Sequence, residues 1–224
     1  MPGVKEVEKW AFQCCEDLTY IEWNKLEIIG GRAFGWCHAL SSIDLPSAKI
    51  VEWGAFIGCA NLASAKFGKE LELIGRGAFL DCTSLERITL PLKDGMITDD
   101  NIFQRCYKLN HVDLVEGAML DQTVAALLMD EWKNDMKDEI DSINRNLPNT
   151  HSGGDCYSDV GEKAQTIRTW FSSVLRKIIH YKAEHRRCLN VAAAALQQAL
   201  PNDIVLKNVL PFLELPSHTF DGED

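Results

Sequence analysis

Five times within residues 12–109 a phenylalanine is followed at +3 by cysteine and at +6 by leucine. The triplets are Phe12/Cys15/Leu18, Phe34/Cys37/Leu40, Phe56/Cys59/Leu62, Phe79/Cys82/Leu85 and Phe103/Cys106/Leu109. The Phe-to-Phe steps are 22, 22, 23 and 24 residues, the period of a short solenoid repeat. One such unit cannot bury its apolar side alone and must stack on its neighbours. The array therefore offers an extended surface rather than a pocket built for chemistry.

Further columns follow each leucine. At +9 from Phe stand Ile21, Ile43, Ala65, Ile88 and Val112, and at +11 stand Trp23, Leu45, Phe67, Leu90 and Leu114. Five residues before each Phe lie Val7, Ile29, Val51 and Ile74, with Ile97 displaced by one. Ala precedes Phe in four copies, and Ile102 takes its place in the fifth. Each copy thus predicts an apolar bend, a corner at Cys and a short strand of form Leu-x-x-Ile-x-Leu. Strand alternation turns the Ile and Leu inward and the residues flanking the Ile outward.

This order of Ala-Phe, Cys, Leu, Ile and Leu-Pro resembles the BspA-like leucine-rich repeat over about residues 4–116. Leu45-Pro46 and Leu90-Pro91 keep the closing Leu-Pro, whereas Trp23-Asn24, Phe67-Gly68 and Leu114-Val115 depart from it. The resemblance implies an α/β-type solenoid of about five repeats and a role as an interaction module. It does not identify a ligand.

A net charge of −10 argues against a nucleic-acid partner, since phosphate binding needs concentrated Lys and Arg. No run of eighteen apolar residues predicts a membrane span, and the first residues lack the pattern of a secretory signal. A cytoplasmic address is expected, with a nuclear one as the alternative. The first repeat starts almost at once, so its N-terminal side is expected either to continue a longer array or to pair with something, self-association included.

Five of the eight cysteines belong to the repeat column, leaving Cys14, Cys156 and Cys188. Stacked rungs would string the five sulfurs along a line about 4.8 Å apart, not around one zinc ion. They read as a ladder of small buried thiols. His180, His185 and Cys188 look like a ligand cluster, but a step of five residues turns about 140° around a helix and separates the histidines. The chain has no phosphate loop and no Gly-x-Ser-x-Gly or zinc-protease motif, so no catalytic residue, metal or cofactor is predicted.

After Leu114 the period becomes helical. Val124, Leu128, Trp132, Met136, Ile140, Ile143 and Leu147 mark one face of an amphipathic helix over 121–147. Pro148 ends it, and Thr150 to Asp155 read as a connector. Asp159 with Glu162 reads as a capping box opening a second helix. Its stripe is Ile167, Trp170, Phe171, Val174, Ile178, Tyr181 and Leu189, and Pro201 stops it. The first helix carries seven acids against three bases, net −4, and residues 159–187 of the second carry seven bases against three acids, net +4. Opposite charge and a short connector predict an antiparallel hairpin. The expected domains are a solenoid over 1–120, a helical hairpin over 121–200, and a short helix, extended segment and acidic tail over 201–224.

The outward residues of the five strands are the candidate recognition set: Tyr20 and Glu22, Ser42 and Asp44, Ser64 and Lys66, Arg87 and Thr89, His111 and Asp113. Tyr20, Arg87 and His111 lead it, because Tyr and Arg are frequent binding anchors. Two roles compete. One is a protein-binding module capped by the hairpin. The other is a scaffold that self-associates through the hairpin, for which the off-stripe Leu127, Met129, Leu175 and Ile179 would be responsible.

Overall fold

The computed structural model describes residues 3–115, 118–147 and 162–199. Two compact units divide the chain: Met1–Val115 with Ser142–Ser172, and Glu116–Asp141 with Ser173–Asp224.

In the first unit the repeats wind a solenoid with two parallel sheets. One sheet pairs two-residue strands in the order β1 (Glu6–Val7), β3 (Ile28–Ile29), β5 (Ile50–Val51) and β7 (Leu73–Ile74). The other pairs β2 (Tyr20–Glu22), β4 (Ser42–Leu45), β6 (Ser64–Phe67), β8 (Arg87–Leu90) and β9 (His111–Leu114). Each repeat pairs with the next in register, Ile21 with Ile43, Ile43 with Ala65, Ala65 with Ile88 and Ile88 with Val112. The displaced Ile97 still bridges Ile74. A 3₁₀ turn, Asp100–Phe103, follows it, its first N–H groups met by Asp99, which accepts from Asn101.

The core is a set of ladders. Phe12, Phe34, Phe56, Phe79 and Phe103 stack face to face, successive ring centres 5.4, 5.5, 5.4 and 5.8 Å apart. Trp23 and Phe67, which replace Leu at +11, meet this spine edge-on. Beside it runs the thiol ladder. Cys37, Cys59, Cys82 and Cys106 each donate S–H to the carbonyl of the Phe one repeat back: Phe12, Phe34, Phe56 and Phe79, at 3.0–3.1 Å. Burial pushes the Cys37 thiol up to about 11 and those of Cys59 and Cys106 up to about 12, so these sulfurs stay protonated. A further inward column, Leu26, Ala48 and Leu71, is fully buried.

Left-handed backbone turns the corners, on both sides of the Phe in four copies and after it alone in the fifth. Two residues before it stand Trp10, Arg32, Gly54 and Gly77, with φ of 62°, 54°, 60° and 60°. Two residues after it stand Cys14, Trp36, Gly58, Asp81 and Arg105, with φ of 57°, 57°, 70°, 63° and 60°. A side chain there costs about 1–2 kcal/mol. Replacing Gly77 by Ala would bring the added Cβ against Leu80 at 3.6 Å, an ordinary contact, but keeps that strain, so we expect a loss of about 1–2 kcal/mol in urea denaturation. The exposed Cys14 offers the reverse case. Cys14→Gly is expected to gain about 0.5–1 kcal/mol, after allowance for the greater entropy of unfolded glycine.

Residues of 142–172 seal the last rung. Val112 N–H donates to Asn144 Oδ1 at 2.8 Å, and the buried Lys163 donates to the Leu109 carbonyl at 2.6 Å. Arg168 pairs with Asp100. Ile143, Ala164, Ile167, Trp170 and Phe171 are buried in the same unit. These contacts explain why the compact units do not follow the expected division at 120/121.

The helices are α1 (Ala118–Ala125), α2 (Asp130–Asn146) and α3 (Glu162–Ala199). The single helix expected over 121–147 is thus two. Leu127 N–H bonds the Val124 carbonyl, closing α1 tightly, and Lys133 N–H bonds that of Met129, opening α2. Asp130 and Glu131 in the first turn of α2 favour a start there, where the helix dipole attracts negative charge. The break rotates the stripe, so that Leu127 is buried and Leu128 is exposed, the opposite of the expectation.

In the second unit α2 and α3 run antiparallel. Lys177 bridges Asp135 and Glu139 at 2.9 and 3.0 Å, and Tyr181 donates to Asp135 at 2.7 Å. Those bonds, from Tyr181 first and Lys177 second, hold the Asp135 carboxyl below its ordinary range. Trp132 stacks on Tyr181. The expected cap at Asp159, the connector, Cys156 and the 201–224 segment lie outside the described residues.

Candidate interaction surface

The five-stranded sheet presents its outward side chains in two rows. Parallel pairing aligns Tyr20, Ser42, Ser64, Arg87 and His111 in one and Glu22, Asp44, Lys66, Thr89 and Asp113 in the other. Neighbours within a row stand about 4.8 Å apart. Beneath them Ile21, Ile43, Ala65, Ile88 and Val112 are buried, so the rows ride on a rigid floor.

The two ends of these rows differ. At the last rungs Arg87 Nη1 lies 2.6 Å from Asp113 Oδ2, and His111 Nε2 lies 3.0 Å from Asp113 Oδ1. Asn144 closes on His111 Nε2 at 3.5 Å. Arg87, His111 and Asp113 are therefore engaged with one another. At the first rung Tyr20 is 65% exposed, and Glu22 is exposed with no hydrogen-bond or ion-pair partner among the described residues. Asp44 has, among the described residues, a single long ion-pair contact, 3.9 Å, with Lys66.

Two other surfaces carry notable chemistry. On the short-strand sheet Glu27 lies between Lys5 at 3.0 Å and Lys49 at 2.7 Å. The hydrogen bond from Lys49 chiefly, then that from Lys5, lowers the Glu27 carboxyl to about 2. A carboxyl lowered in the fold contributes stability above its unfolded value near 4.5, lost as pH falls through about 2. Carboxyl-detected NMR should titrate Glu27 near 2, and Lys49→Met should raise that midpoint toward 4.5. An unchanged midpoint in the variant would contradict the assignment.

The corners hold an aromatic cluster that sequence reasoning missed. The Arg32 guanidinium lies 4.6 Å from the Trp53 ring centre and 5.3 Å from that of Trp36. Trp53 covers Gly31 and Trp36 covers Gly58, where an added Cβ would come within 2.5 Å of either indole. Trp10 and Trp53 are 54% and 41% exposed. Its signal was present: Trp10, Arg32 and Trp36 fill corner positions where other copies carry glycine. Among the described residues no cluster of His, Cys, Asp or Glu is placed to hold a metal ion, and no helix is long and apolar enough to cross a membrane.

Residues 4–119 match the family described as BspA type leucine rich repeat region, in six copies where the Phe column counts five. Among solved structures, a leucine rich cell surface protein from Faecalibacterium prausnitzii is similar at 28% identity and TM-score 0.46, over 52% of this chain and 31% of that one. A leucine rich repeat protein from T. pallidum is similar at 27% identity and TM-score 0.38, over 50% and 65%. One from Bacteroides ovatus shares 17% identity at TM-score 0.27, over 50% and 52%. The chain spans less than two thirds of each of these proteins. No curated protein matches it significantly.

Proposed function

The chain belongs to the BspA-type leucine-rich repeat family, and from that premise we propose that it is a non-catalytic module that grips a protein partner on its five-stranded face. One observation carries the reading: inward columns hold the same residue types from rung to rung while the two outward rows change identity at almost every rung. Framework and recognition are separated, as a binding surface requires. Residues 142–147 and 162–172 act as the cap of the array, since Asn144 and Lys163 meet backbone groups that the last rung would otherwise leave open. The proposal includes a cytoplasmic address, supported by seven free thiols among the described residues. Recovery of the chain in a secreted fraction would reverse that part.

The test is capture from a lysate of the source organism, comparing the intact chain with a variant changed at Tyr20, Glu22 and Lys66 that melts at the same temperature under reducing conditions. A partner held by the intact chain and lost by the variant is the expected result. Unchanged capture would make the repeats a spacer.

A second reading is self-association through the helical unit, favoured by the exposure of Met129 and Ile179, 49% and 69%. A monomer at high concentration in reducing buffer would end it.

A further inference from the structure

The strand face is not uniform, and its asymmetry specifies a partner. Resting on the reading above, we propose that the first three rungs of the face bind a basic segment of the partner protein. On this account Lys or Arg side chains meet Glu22 and Asp44, and one of them lies against Tyr20.

The argument begins with what is already satisfied. Arg87 and His111 are joined through the Asp113 carboxylate into a closed set. A partner contacting them would have to break charge-assisted bonds of 2.6 and 3.0 Å before gaining any. Binding there begins at a loss.

The first three rungs are the opposite case. Glu22 has no counter-ion among the described residues, and Asp44 shares Lys66 only at 3.9 Å. Two carboxylates against one ammonium leave these strands net negative. Glu16 and the exposed Asp17, on the segment entering β2, add the same sign. The two carboxylates spring from paired positions on adjacent strands about 4.8 Å apart, within reach of neighbouring guanidinium or ammonium groups on one extended chain. Tyr20, 65% exposed, offers a ring face beside them for a cation. Ser42 and Ser64 keep the row next to Tyr20 low, so an extended chain can lie close to the sheet. Over the whole chain a net charge of −10 attracts a cationic partner and repels an anionic one.

The experiment uses the full chain and fluorescein-labelled Arg-Ser and Glu-Ser alternating peptides, followed by anisotropy at low and high salt. The Arg-Ser peptide is expected to bind and the Glu-Ser peptide not to. Glu22→Gln with Asp44→Asn should weaken the former about three- to tenfold. Glu70→Gln with Glu72→Gln removes the same charge from exposed positions off this face and should leave binding unchanged. Tyr20→Ala should weaken it further. Equal weakening by both double variants would overturn the proposal, leaving only the overall field. Absence of Arg-Ser binding would overturn it too. If in addition the natural partner is still lost on altering Tyr20, Glu22 and Lys66, only this inference fails. If the natural partner is retained, the reading beneath it fails.

Discussion

Phe56→Ala is expected to lose about 3–5 kcal/mol of unfolding free energy, in urea titrations under reducing conditions. Phe56 is fully buried and lies in the middle of the spine, stacked on Phe34 at 5.5 Å and on Phe79 at 5.4 Å. Its removal opens a cavity that the neighbouring rungs cannot close, because their spacing is fixed by backbone pairing. The same carbonyl that serves Cys82 belongs to Phe56, so a shifted backbone would also loosen the thiol ladder. Phe12 provides the internal comparison. It stacks on one neighbouring Phe only and is partly exposed, so Phe12→Ala should lose less than half as much. Equal losses would contradict the nearest-neighbour account of the solenoid.

Gly68→Ala is expected to be about as damaging, by about 3 kcal/mol or more, for a different reason. A Cβ at Gly68 would lie 1.9 Å from the Pro46 carbonyl oxygen and 2.7 Å from its carbonyl carbon. These are backbone atoms of the adjacent rung, so no rotamer change relieves the clash. Gly95 isolates the alternative cause: its φ is +70° with nothing within 4 Å of an added Cβ, so Gly95→Ala should lose only the strain, about 1–2 kcal/mol. Thermal melts of both variants separate the two effects. A Gly68→Ala protein no worse than Gly95→Ala would show that the rungs are further apart than described.

Gly68 also illustrates what was legible in the sequence. The third repeat departs from the closing Leu-Pro, and read as text Phe67-Gly68 is an imperfection. In space it is the fit of one turn against the Pro46 of the turn before. The Phe, Cys, Leu and Ile columns could be read because each keeps a fixed offset in several copies. The Leu26, Ala48 and Leu71 column could not, since the longer third repeat shifts Leu71 by one. The split between α1 and α2 was hidden because an apolar stripe at steps of four looks the same whether one helix carries it or two. What opens the second is a local start at Asp130 and Glu131.

The outward rows were legible as a register, because alternation in a strand is arithmetic. Their energetics were not. Arg87 and His111 read as anchors by residue type, yet Asp113 and Asn144 engage them, and Asn144 lies 33 residues away in sequence from His111. Tyr20, at the first rung, keeps its exposure. Position along the row, set by which rung is sealed, decides which candidates are available.

The most direct test of the account is site-specific photocrosslinking. A benzoylphenylalanine is placed in turn at Tyr20 on the strand face, at Trp53 on the corner and at Ile179 on α3, and each protein is irradiated in native lysate. The account predicts a discrete heterologous adduct from position 20 and none from the other two. An adduct from position 53 or 179 with none from position 20 would contradict it, and would move the binding surface to the aromatic corner or the helical unit.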